Sequence, residues 1–253
     1  MNIAVPIKLV PDLVEELELN DDGSDLDHDA LTYKINEFCD HALEEALQLK
    51  EAHGGSVTVL ALDRDEADKA LFTALAKGAD RAIKVTGIDE NTGTLTAAHA
   101  FRAALAGVEF DVLLTGVQAP DDREGQLGVL LASLLEIPHV SAVSEVSFDG
   151  GTVTLHKEFA GGVLARYQVA PKVVLGIQSA RQAPRYAPVS RVRQLMKEAS
   201  LDEIEVESPT NTSPEVRRVF RPTAGRGAEM LAGTTEDVAA RIAELVLAHR
   251  GAR

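Results

Sequence analysis

The stretch "LLTGVQAPDDREGQLG", residues 113–128, decides how the rest of the chain is interpreted. The residues "FDV" come directly before it, and a second apolar run, "VLLASLLEI", begins at residue 129. Small and acidic residues separate the two apolar runs. This pattern predicts a strand, a glycine-containing turn and the start of a helix. In an open parallel sheet such a turn lies at the carboxyl end of its strand, where ligands bind.

The glycines of this turn are compatible with a bound phosphate. Gly116 permits a sharp turn after the strand, and Gly125 and Gly128 flank the expected start of the helix. Free N–H groups and the positive end of the helix dipole attract an anion there. The acidic pair Asp121 and Asp122 fits a ribose hydroxyl, an N-cap or a partner contact better. The loop matches neither G-x-G-x-x-G nor a Walker loop, so its composition alone leaves a plain βα loop as the leading alternative.

Strand-like and helix-like segments alternate on both sides of the turn. In chain order they are "NIAVPIKLV" (strand), "NEFCDHALEEALQLKEAHGG" (helix), "SVTVLAL" (strand), "DEADKALFTALAKGAD" (helix), "RAIKVTG" (strand), "TLTAAHAFRAALAGV" (helix), "FDVLLTG" (strand) and "EGQLGVLLASLLEI" (helix). Regular alternation with short connections predicts an α/β fold with an open, mostly parallel sheet and helices on both faces.

After residue 138 the pattern changes. Apolar and polar residues alternate around "DGG" and "AGG", which predicts an antiparallel meander that ends in the apolar strand "KVVLGI". Residues 179–233 hold too few apolar side chains for a core of their own, and a last amphipathic helix begins with a Thr/Glu capping pattern. We therefore predict a nucleotide-binding α/β domain with the meander at 1–178, and a partner-recognition loop, arm and C-terminal helix at 179–253.

Composition and charge exclude several classes of protein. The 253 residues include 25 basic and 40 acidic side chains, a formal net charge of −15. This charge argues against duplex nucleic acid or an anionic membrane as the main partner, although "RRVFRPTAGR" is a locally basic stretch, expected to be solvated or to face a partner. The single cysteine excludes an intrachain disulfide, and no apolar run approaches the ~20 residues of a membrane span. With no signal-peptide pattern, we expect a cytoplasmic protein without membrane insertion.

The remaining ionisable groups predict neither a metal site nor a nucleophile. The seven histidines have no metal-ligand spacing with cysteine or carboxylate. His41 with Glu44 or Glu45 is expected to form a solvated helix face, and Cys39 is expected to be a buried, inert thiol. "NDDGSDLDHDA" lacks the glutamate of an EF-hand loop and is expected to be an acidic hairpin or loop. Tyr186 is expected to pack at the base of a loop.

Motifs of one known family occur in order along the chain. "VPIKLVPD" is close to V-A-V-K-x-V-x-D, "INEFCDHALEEALQLKE" to N-P-F-C-E-x-A-V-E-E-A-x-x-L-K-E, and "TALAKGADRAIKV" to T-A-L-A-M-G-A-D-R-x-I-x-V. The opening loop falls on L-x-G-K-Q-A-x-D-D-D-x-x-Q-T-G, and "KEFAGG", "APKVVLGI", "APRYAPV" and "TTEDVAARIAEL" continue the family order. Nearly the whole chain therefore resembles the beta subunit of the electron transfer flavoproteins, the FixA-like family.

The resemblance implies a fold of the adenine-nucleotide alpha-hydrolase-like kind and an electron carrier subunit without a catalytic acid or base. Such a subunit pairs with an alpha subunit that holds most of the FAD, and it passes electrons from a flavin dehydrogenase to a quinone reductase or another acceptor. It also buries AMP, which we favour here, or a second FAD in electron-bifurcating relatives. The cofactor-binding residues that the motifs imply are Pro6, Asn36, Glu37, Phe38, Cys39, Leu62, Gly116, Val117, Gln118, Ala119, Pro120, Asp121, Asp122, Arg123, Glu124, Gly125, Gln126 and Leu127.

Some residues of this site differ from the family pattern. Pro6 replaces an alanine and removes a backbone donor. Leu127 replaces a threonine and removes a hydroxyl, and Gly125 replaces a larger polar residue. Arg64 adds a charge that is expected to meet a phosphate or Asp121. We therefore expect nucleotide recognition to depend mainly on backbone groups.

A second implied site concerns docking. In the family, a hydrophobic residue after the P-R-Y motif anchors the partner dehydrogenase. In "APRYAPVSRVRQLMKEAS" the candidates are Val189, Leu195 and Met196, and an ordinary surface helix is the alternative.

Two other function classes share the predicted architecture. A stand-alone adenine-nucleotide-binding, stress-type α/β protein would have no need of the meander and the arm. A hydrolase of the adenine-nucleotide alpha-hydrolase type would require a pyrophosphatase loop such as S-G-G-x-D-S, and the sequence contains none. The electron carrier subunit is therefore the leading hypothesis.

Overall fold

The computed structural model describes residues 1–89, 92–122, 124–207, 216–223, 225 and 227–251. The strands are β1 (Asn2–Ile7), β2 (Leu9–Pro11), β3 (Tyr33–Ile35), β4 (Ser56–Leu62), β5 (Arg81–Thr86), β6 (Val112–Gly116), β7 (His139–Asp149), β8 (Thr152–Phe159), β9 (Val163–Val169), β10 (Val173–Ile177) and β11 (Asp202–Glu205). The α-helices are α1 (Glu37–His53), α2 (Ala67–Lys77), α3 (Thr94–Leu105), α4 (Leu127–Leu135), α5 (Val189–Glu198) and α6 (Thr235–Gly251).

The main sheet has nine strands among the described residues, in the order β11-β5-β4-β1-β6-β10-β7-β8-β9. Every neighbouring pair from β11 to β7 is parallel, and only β7-β8 and β8-β9 are antiparallel. A small antiparallel sheet of β2 and β3 stands apart. The predicted open, mostly parallel sheet with an antiparallel extension is confirmed.

Helices cover both faces of the sheet because its strands are apolar on both sides. One core joins α1 and α2 to side chains such as Val5, Val59 and Leu114, and the other joins α3 and α4 to Leu60 and Leu113 on the opposite face. Alternate residues of one strand thus enter different cores, as the two-residue period of a strand requires. The loops described below lie at the carboxyl edge of this sheet.

Two strands differ from the sequence prediction. The segment "KVVLGI" does not continue the meander, because β10 inserts in parallel between β6 and β7. The first apolar run is divided, since β1 ends at Ile7 and the chain leaves the main sheet at Lys8 before forming β2. This exit brings Lys8 to the carboxyl edge of the sheet.

The chain beyond residue 179 continues to contact the core for another 27 residues, up to Val206. Helix α5 packs on α2 through a cluster of Phe72, Ala187 and Val192, and β11 pairs with β5 at the edge of the sheet. Helix α6 begins with a reciprocal cap between Thr234 and Asp237. The predicted division at residue 179 stays a prediction.

Candidate functional site

The carboxyl edge of the sheet opens where β1 and β6 separate. Their ladder pairs Ile3 with Val112 and Ala4 with Leu113, and ends there, although both strands run on. On its other side β1 stays paired with β4 as far as Ile7. Pro6, which has no N–H to donate, lies in the part of β1 beyond the β6 ladder. From β1 the chain continues to β4 and β5 on one side of β1 and then returns to β6 on the other side. Open α/β sheets bind ligands in the crevice at such a reversal of strand order.

The start of α1 closes one wall of this crevice against Gly116. A Cβ on Gly116 would lie 2.9 Å from the backbone nitrogen of Cys39 and 3.0 Å from its Sγ, so only glycine fits. The buried side chain of Asn36 donates from Nδ2 to the carbonyl oxygen of Gln118 at 2.8 Å, and its backbone N–H donates to the carbonyl of Lys8 at 2.8 Å. Asn36 therefore ties the end of β1, the start of α1 and the loop after β6 together.

The loop after β6 is folded on itself rather than extended. Backbone hydrogen bonds in both directions join Ala119 and Asp122, at 3.3 and 3.1 Å. Gly125 has φ +61°, and a Cβ there would lie 2.6 Å from the carbonyl oxygen of Val117. The loop thus requires glycine at this position for two independent reasons.

The first turn of α4 faces the crevice without a side-chain cap. The N-cap residue, Gln126, makes no capping hydrogen bond, so the first N–H groups of the helix have no side-chain acceptor there. Behind this turn, a Cβ on Gly128 would lie 2.8 Å from Thr115 Oγ1, which is buried and has no hydrogen-bond partner among the described residues. Free N–H groups and the helix dipole make this end suitable for a phosphate.

An apolar slot continues from the crevice between β1, β4 and α3. Its walls are the apolar side chains of Ile7, Leu9, Leu62, Ala97, Phe101 and Leu127, with Lys8, Arg64, Thr92, Thr94 and Asp122 around them. An apolar slot with a few polar groups at its rim is the usual form of a site for a planar, partly polar ligand. The loop that contains Gly116 and Gly125, which we call the glycine cradle, meets this slot at Lys8, Asp122 and Leu127. We call the cradle and the slot the inner crevice.

The predicted site residues fall into two groups. Those that line the inner crevice, or the cleft that adjoins it at Leu9, Arg64 and Thr92, are Asn36, Cys39, Leu62, Gly116, Val117, Gln118, Ala119, Asp121, Asp122, Gly125 and Leu127. Those that do not line these cavities are Pro6, Glu37, Phe38, Pro120, Glu124 and Gln126. Arg123 lies outside the described residues.

Sequence reasoning missed several contributors to the inner crevice. Lys8 lies between the glycine cradle and the slot, and its Nζ pairs with Asp121 Oδ1 at 2.9 Å. Thr94 and Phe101 come from α3, which the sequence analysis treated as a covering helix only. The position of Lys8 immediately after a central strand was the available signal, because the carboxyl ends of parallel strands meet at one edge.

Cys39 is buried as predicted. Burial raises the pKa of its thiol, while a hydrogen bond from Asn36 Nδ2 at 3.4 Å opposes the shift. A neutral thiol is a poor nucleophile, so Cys39 serves as packing beside Gly116.

The expectation of a solvated face at His41, Glu44 and Glu45 is wrong. Both glutamates are buried and accept from arginines of the segment after β10, and His41 Nδ1 accepts from the backbone N–H of Ala180 at 3.2 Å. Glu45 Oε1 accepts from Arg181 Nε at 3.1 Å and from the N–H of Val146 at 3.1 Å. We call the set of Glu44, Glu45, Arg181 and Arg185 the carboxylate clamp.

Arg185 forms the second ion pair of the carboxylate clamp, with Glu44, and it also contacts Glu51. Its Nε and Nη2 donate to the two oxygens of Glu44, each at 2.9 Å, and its Nη1 donates to Glu51 at 2.6 Å. Burial disfavours the Glu44 carboxylate, but hydrogen bonds and charge from Arg185 outweigh it and lower the pKa of Glu44. At Glu45 burial prevails and raises the pKa, against the opposing effect of Arg181. The clamp therefore holds the chain between β10 and α5 on α1.

The docking candidates lie on α5 just beyond the carboxylate clamp. Val189 is 54% exposed and Met196 46% exposed, whereas Leu195 packs partly against the α2–α5 cluster. Tyr186 is 78% exposed, so the prediction that it packs at the base of a loop is wrong. Val189, Met196 and Tyr186 thus offer apolar surface to solvent.

Two negative findings apply to the residues that the structure describes. No group of three His, Cys, Asp or Glu side chains there is arranged to hold a metal ion. No helix in the same residues has the length and hydropathy needed to cross a membrane. The acidic stretch at residues 20–30 forms the predicted hairpin, closed by a bridge between Leu19 and Leu26.

Comparison with known proteins gives one consistent result. The model of the electron transfer flavoprotein domain matches residues 25–209. The chain is 31% identical over 265 residues, 100% of both chains, to the electron transfer flavoprotein subunit beta of Methylophilus methylotrophus. It is 27% identical to the subunit of that name from Bacillus subtilis, with 97% of each chain covered, and 29% identical to that of Mus musculus, with 95% and 96% covered.

Proposed function

Because the chain belongs to the electron transfer flavoprotein family and matches its beta subunits along its whole length, we propose that it pairs with an alpha subunit to place a flavin between an electron donor and an acceptor. The bound FAD supplies the redox chemistry. The residues of this chain bind and orient, and no acid or base of their own takes part. A flavin dehydrogenase is the proposed donor, and a quinone reductase or similar protein is the proposed acceptor.

The inner crevice is proposed to hold AMP or the AMP half of a second FAD. The observation that carries this proposal is the glycine cradle, where Gly116 packs so tightly on Cys39 that no side chain fits between them. Backbone N–H groups at the start of α4 would bind the phosphate, and the apolar slot would hold the adenine. Lys8 would face the nucleotide from the end of β1.

The first test measures the nucleotides of the assembled protein. The chain is co-expressed with its alpha subunit, and FAD and AMP are extracted and quantified per complex. We expect one FAD together with either one AMP or a second FAD. A chain that purifies alone, without flavin but with an adenine nucleotide, would favour the stand-alone nucleotide-binding protein instead.

The second test addresses the cradle. Gly116→Val places a branched side chain against the backbone of Cys39 and should remove most of the extracted AMP or second FAD. Gly107→Val is the matched control, because a Cβ at Gly107 meets no atom within 4 Å. Gly116→Ala serves if the valine variant does not fold. Full nucleotide content in a folded Gly116 variant would contradict this location.

We also propose that the exposed face of α5 docks the donor dehydrogenase. Val189→Ala should slow electron transfer from the dehydrogenase without changing flavin content, since one apolar anchor is worth roughly 2 kcal/mol. Met196→Ala and Leu195→Ala test the neighbouring candidates. Unchanged transfer rates in all three variants would move docking away from α5. A cytoplasmic location stays a prediction from the sequence.

A further inference from the structure

Residues 178–188, which we call the β10–α5 connection, form neither a helix nor a strand, yet α1 holds them along one of its faces. Three backbone N–H groups of the connection donate to side chains of α1 at 3.0 to 3.2 Å. The donors are Ala180, Arg181 and Arg185, and their acceptors are His41 Nδ1, Glu45 Oε2 and Glu44 Oε2, respectively. The connection is therefore fixed through its backbone as well as through its arginine side chains.

Glu44 and Arg185 form the last of these attachments before α5. Glu44 accepts from the backbone N–H of Arg185 as well as from its Nε and Nη2, so one carboxylate fixes both the main chain and the side chain. Gln48, one turn further along α1, donates from Nε2 to Glu44 Oε1 at 3.2 Å and orients the carboxylate. A planar guanidinium held by two hydrogen bonds has a defined direction, which a single charge contact would not give.

The start of α5 lies directly after this attachment. Ala187 is buried against α2 together with Val192, and Pro188, whose ring fixes φ, is the N-cap of α5. Val189 follows with its side chain exposed. Few free backbone torsions separate Arg185 from Val189, so the position of Arg185 limits the directions in which the side chain of Val189 can point.

Stability alone is a weak reason for a charged attachment at this place. The side chain of Glu44 is 4% exposed, and taking a carboxylate out of water costs about as much as its ion pair returns. An apolar contact would hold the connection on α1 as firmly. Hydrogen bonds with a fixed direction, in contrast, define the register of the chain that follows.

We propose that Glu44 and Arg185 are positioning residues for the docking of the donor dehydrogenase: their paired side chains hold the start of α5 so that Val189 is presented in one orientation. This proposal rests on the proposed docking face of α5 and adds the residues that preorganise it. A surface that is already ordered loses less conformational entropy on binding, so the complex with the donor is tighter. Neither residue lines the inner crevice, so nucleotide content should not depend on them.

Steady-state kinetics of the assembled protein, with the alpha subunit and FAD bound, test this role. Arg185→Gln should raise the KM of the donor dehydrogenase for this protein by about tenfold, within the range of losing one anchor, and leave kcat within about twofold. Glu44→Gln should have the same effect. Arg185→Lys keeps the charge without the planar fork, should have an intermediate effect, and serves if Arg185→Gln does not assemble. An unchanged KM in the Arg185 and Glu44 variants would overturn the proposal.

A double-mutant cycle separates positioning from a general loss of stability. Because Arg185 acts through Val189, Arg185→Gln should raise KM by less than about twofold in a Val189→Ala protein, far short of additivity. Full additivity would overturn the proposal. If Val189→Ala alone leaves KM unchanged, the docking face of α5 fails, and the positioning role fails with it. A raised KM for Val189→Ala beside an unchanged KM for Arg185→Gln overturns the positioning role alone.

Proteolysis measures the order of α5 in the absence of the donor. Trypsin cleaves after Arg191 and Arg193, both on α5, when the helix opens. Arg185→Gln should increase the rate of this cleavage about fivefold or more, and a rate equal to the parent's would overturn the proposal. Lys50→Gln is the matched control, because Lys50 also forms an ion pair from α1, with Asp80 at 2.7 Å, away from the connection. That variant should keep the parent's KM and cleavage rate.

Discussion

Two segments that contain arginines follow β10, and they differ in how firmly they are attached to the rest of the described chain. Residues 179–206, the docked segment, are held by the carboxylate clamp, by the packing of α5 on α2 and by the pairing of β11 with β5. The described residues between 216 and 251, the exposed segment, contact the rest of the described chain through few bonds, including Val219 N–H to the carbonyl of Gly23 at 2.9 Å and Arg221 to Glu16 at 2.5 Å.

The burial of the glutamates that accept these hydrogen bonds explains the difference. The side chains of Glu44 and Glu45 are 4% and 0% exposed, whereas that of Glu16 is 73% exposed. A charge pair with a buried partner is costly to break, while a pair in water contributes little. Arginine content alone therefore does not dock a segment. The docked segment is already organised before a partner arrives, and the exposed segment carries bare apolar side chains such as Phe220, Met230 and Leu247.

The largest expected effect comes from removing the exposed segment. Truncation from Ser208 onward should weaken association with the alpha subunit by about a thousandfold or more. The reason is that the exposed segment makes few contacts with the rest of the described chain and can therefore contact an alpha subunit. The free energy of unfolding of the chain should change by less than about 1 kcal/mol. Co-elution with the alpha subunit and urea denaturation measure the two quantities. Undiminished association would show that the arm does not hold the partner.

Next in size is the buried half of the carboxylate clamp. Glu45→Ala should cost about 3 kcal/mol in the free energy of unfolding, since it leaves Arg181 and the N–H of Val146 without their acceptor. Glu244→Ala is the matched control in the exposed segment, where the glutamate pairs with Arg241 at 3.0 Å on the surface of α6. Similar losses in the two variants would break the distinction between the segments.

A smaller effect concerns pH. The pKa of Glu44 in the folded chain lies below its ordinary 4.5, so its ionised form adds stability above that pH, and this stability is lost as the pH falls through the folded pKa. The raised pKa of Glu45 acts oppositely: its contribution is present below pH 4.5 and is lost as the pH rises through the folded pKa. Arg185→Gln should cost about 2 kcal/mol at neutral pH and flatten the loss below about pH 5.

Arg191→Gln provides the control for that pH experiment. Arg191 is exposed on α5 and donates to Gln194 at 3.2 Å, outside the carboxylate clamp. Urea denaturation across the acid range should give the parent profile for this variant. If Arg185→Gln shows the parent's acid sensitivity as well, the arginine does not control the ionisation of Glu44.

The smallest expected effect lies in the exposed segment. Arg221→Gln removes a pair whose side chains are 59% and 73% exposed, and should change the free energy of unfolding by less than about 0.5 kcal/mol. Urea denaturation at low and high salt measures this change. A loss comparable to that of Arg185→Gln would mean that the two segments are anchored equally.

The sequence predicted the elements whose signals are local. The alternation of strands and helices follows from apolar runs, and the loop after β6 from its glycines. The carboxylate clamp was missed because the partners of Glu44 and Glu45 lie 141 and 136 residues further along the chain. Strand β11, "DEIE", has the composition of an acidic loop, and its pairing depends on contacts such as Arg81 with Asp202 at 2.6 Å.

The candidate site was predicted only in part, because some of its residues share a local motif and others are distant from one another in the sequence. Its glycine cradle lies within one loop, which a single motif describes. The apolar slot combines the ends of β1 and β4 with the start of α3, and no spacing in the sequence links these residues.

The insertion of β10 between β6 and β7 has a consequence for how the chain folds. Val112 and Val173 are neighbours in the sheet although about sixty residues separate them along the chain. The hairpins β7-β8 and β8-β9 form from local contacts, but β7 joins the rest of the sheet only through β10. Pairing strands that are distant in the sequence slows folding, and the edges of those strands stay unpaired until the pairing forms. A nascent chain that ends before residue 173 would therefore expose the β6 edge.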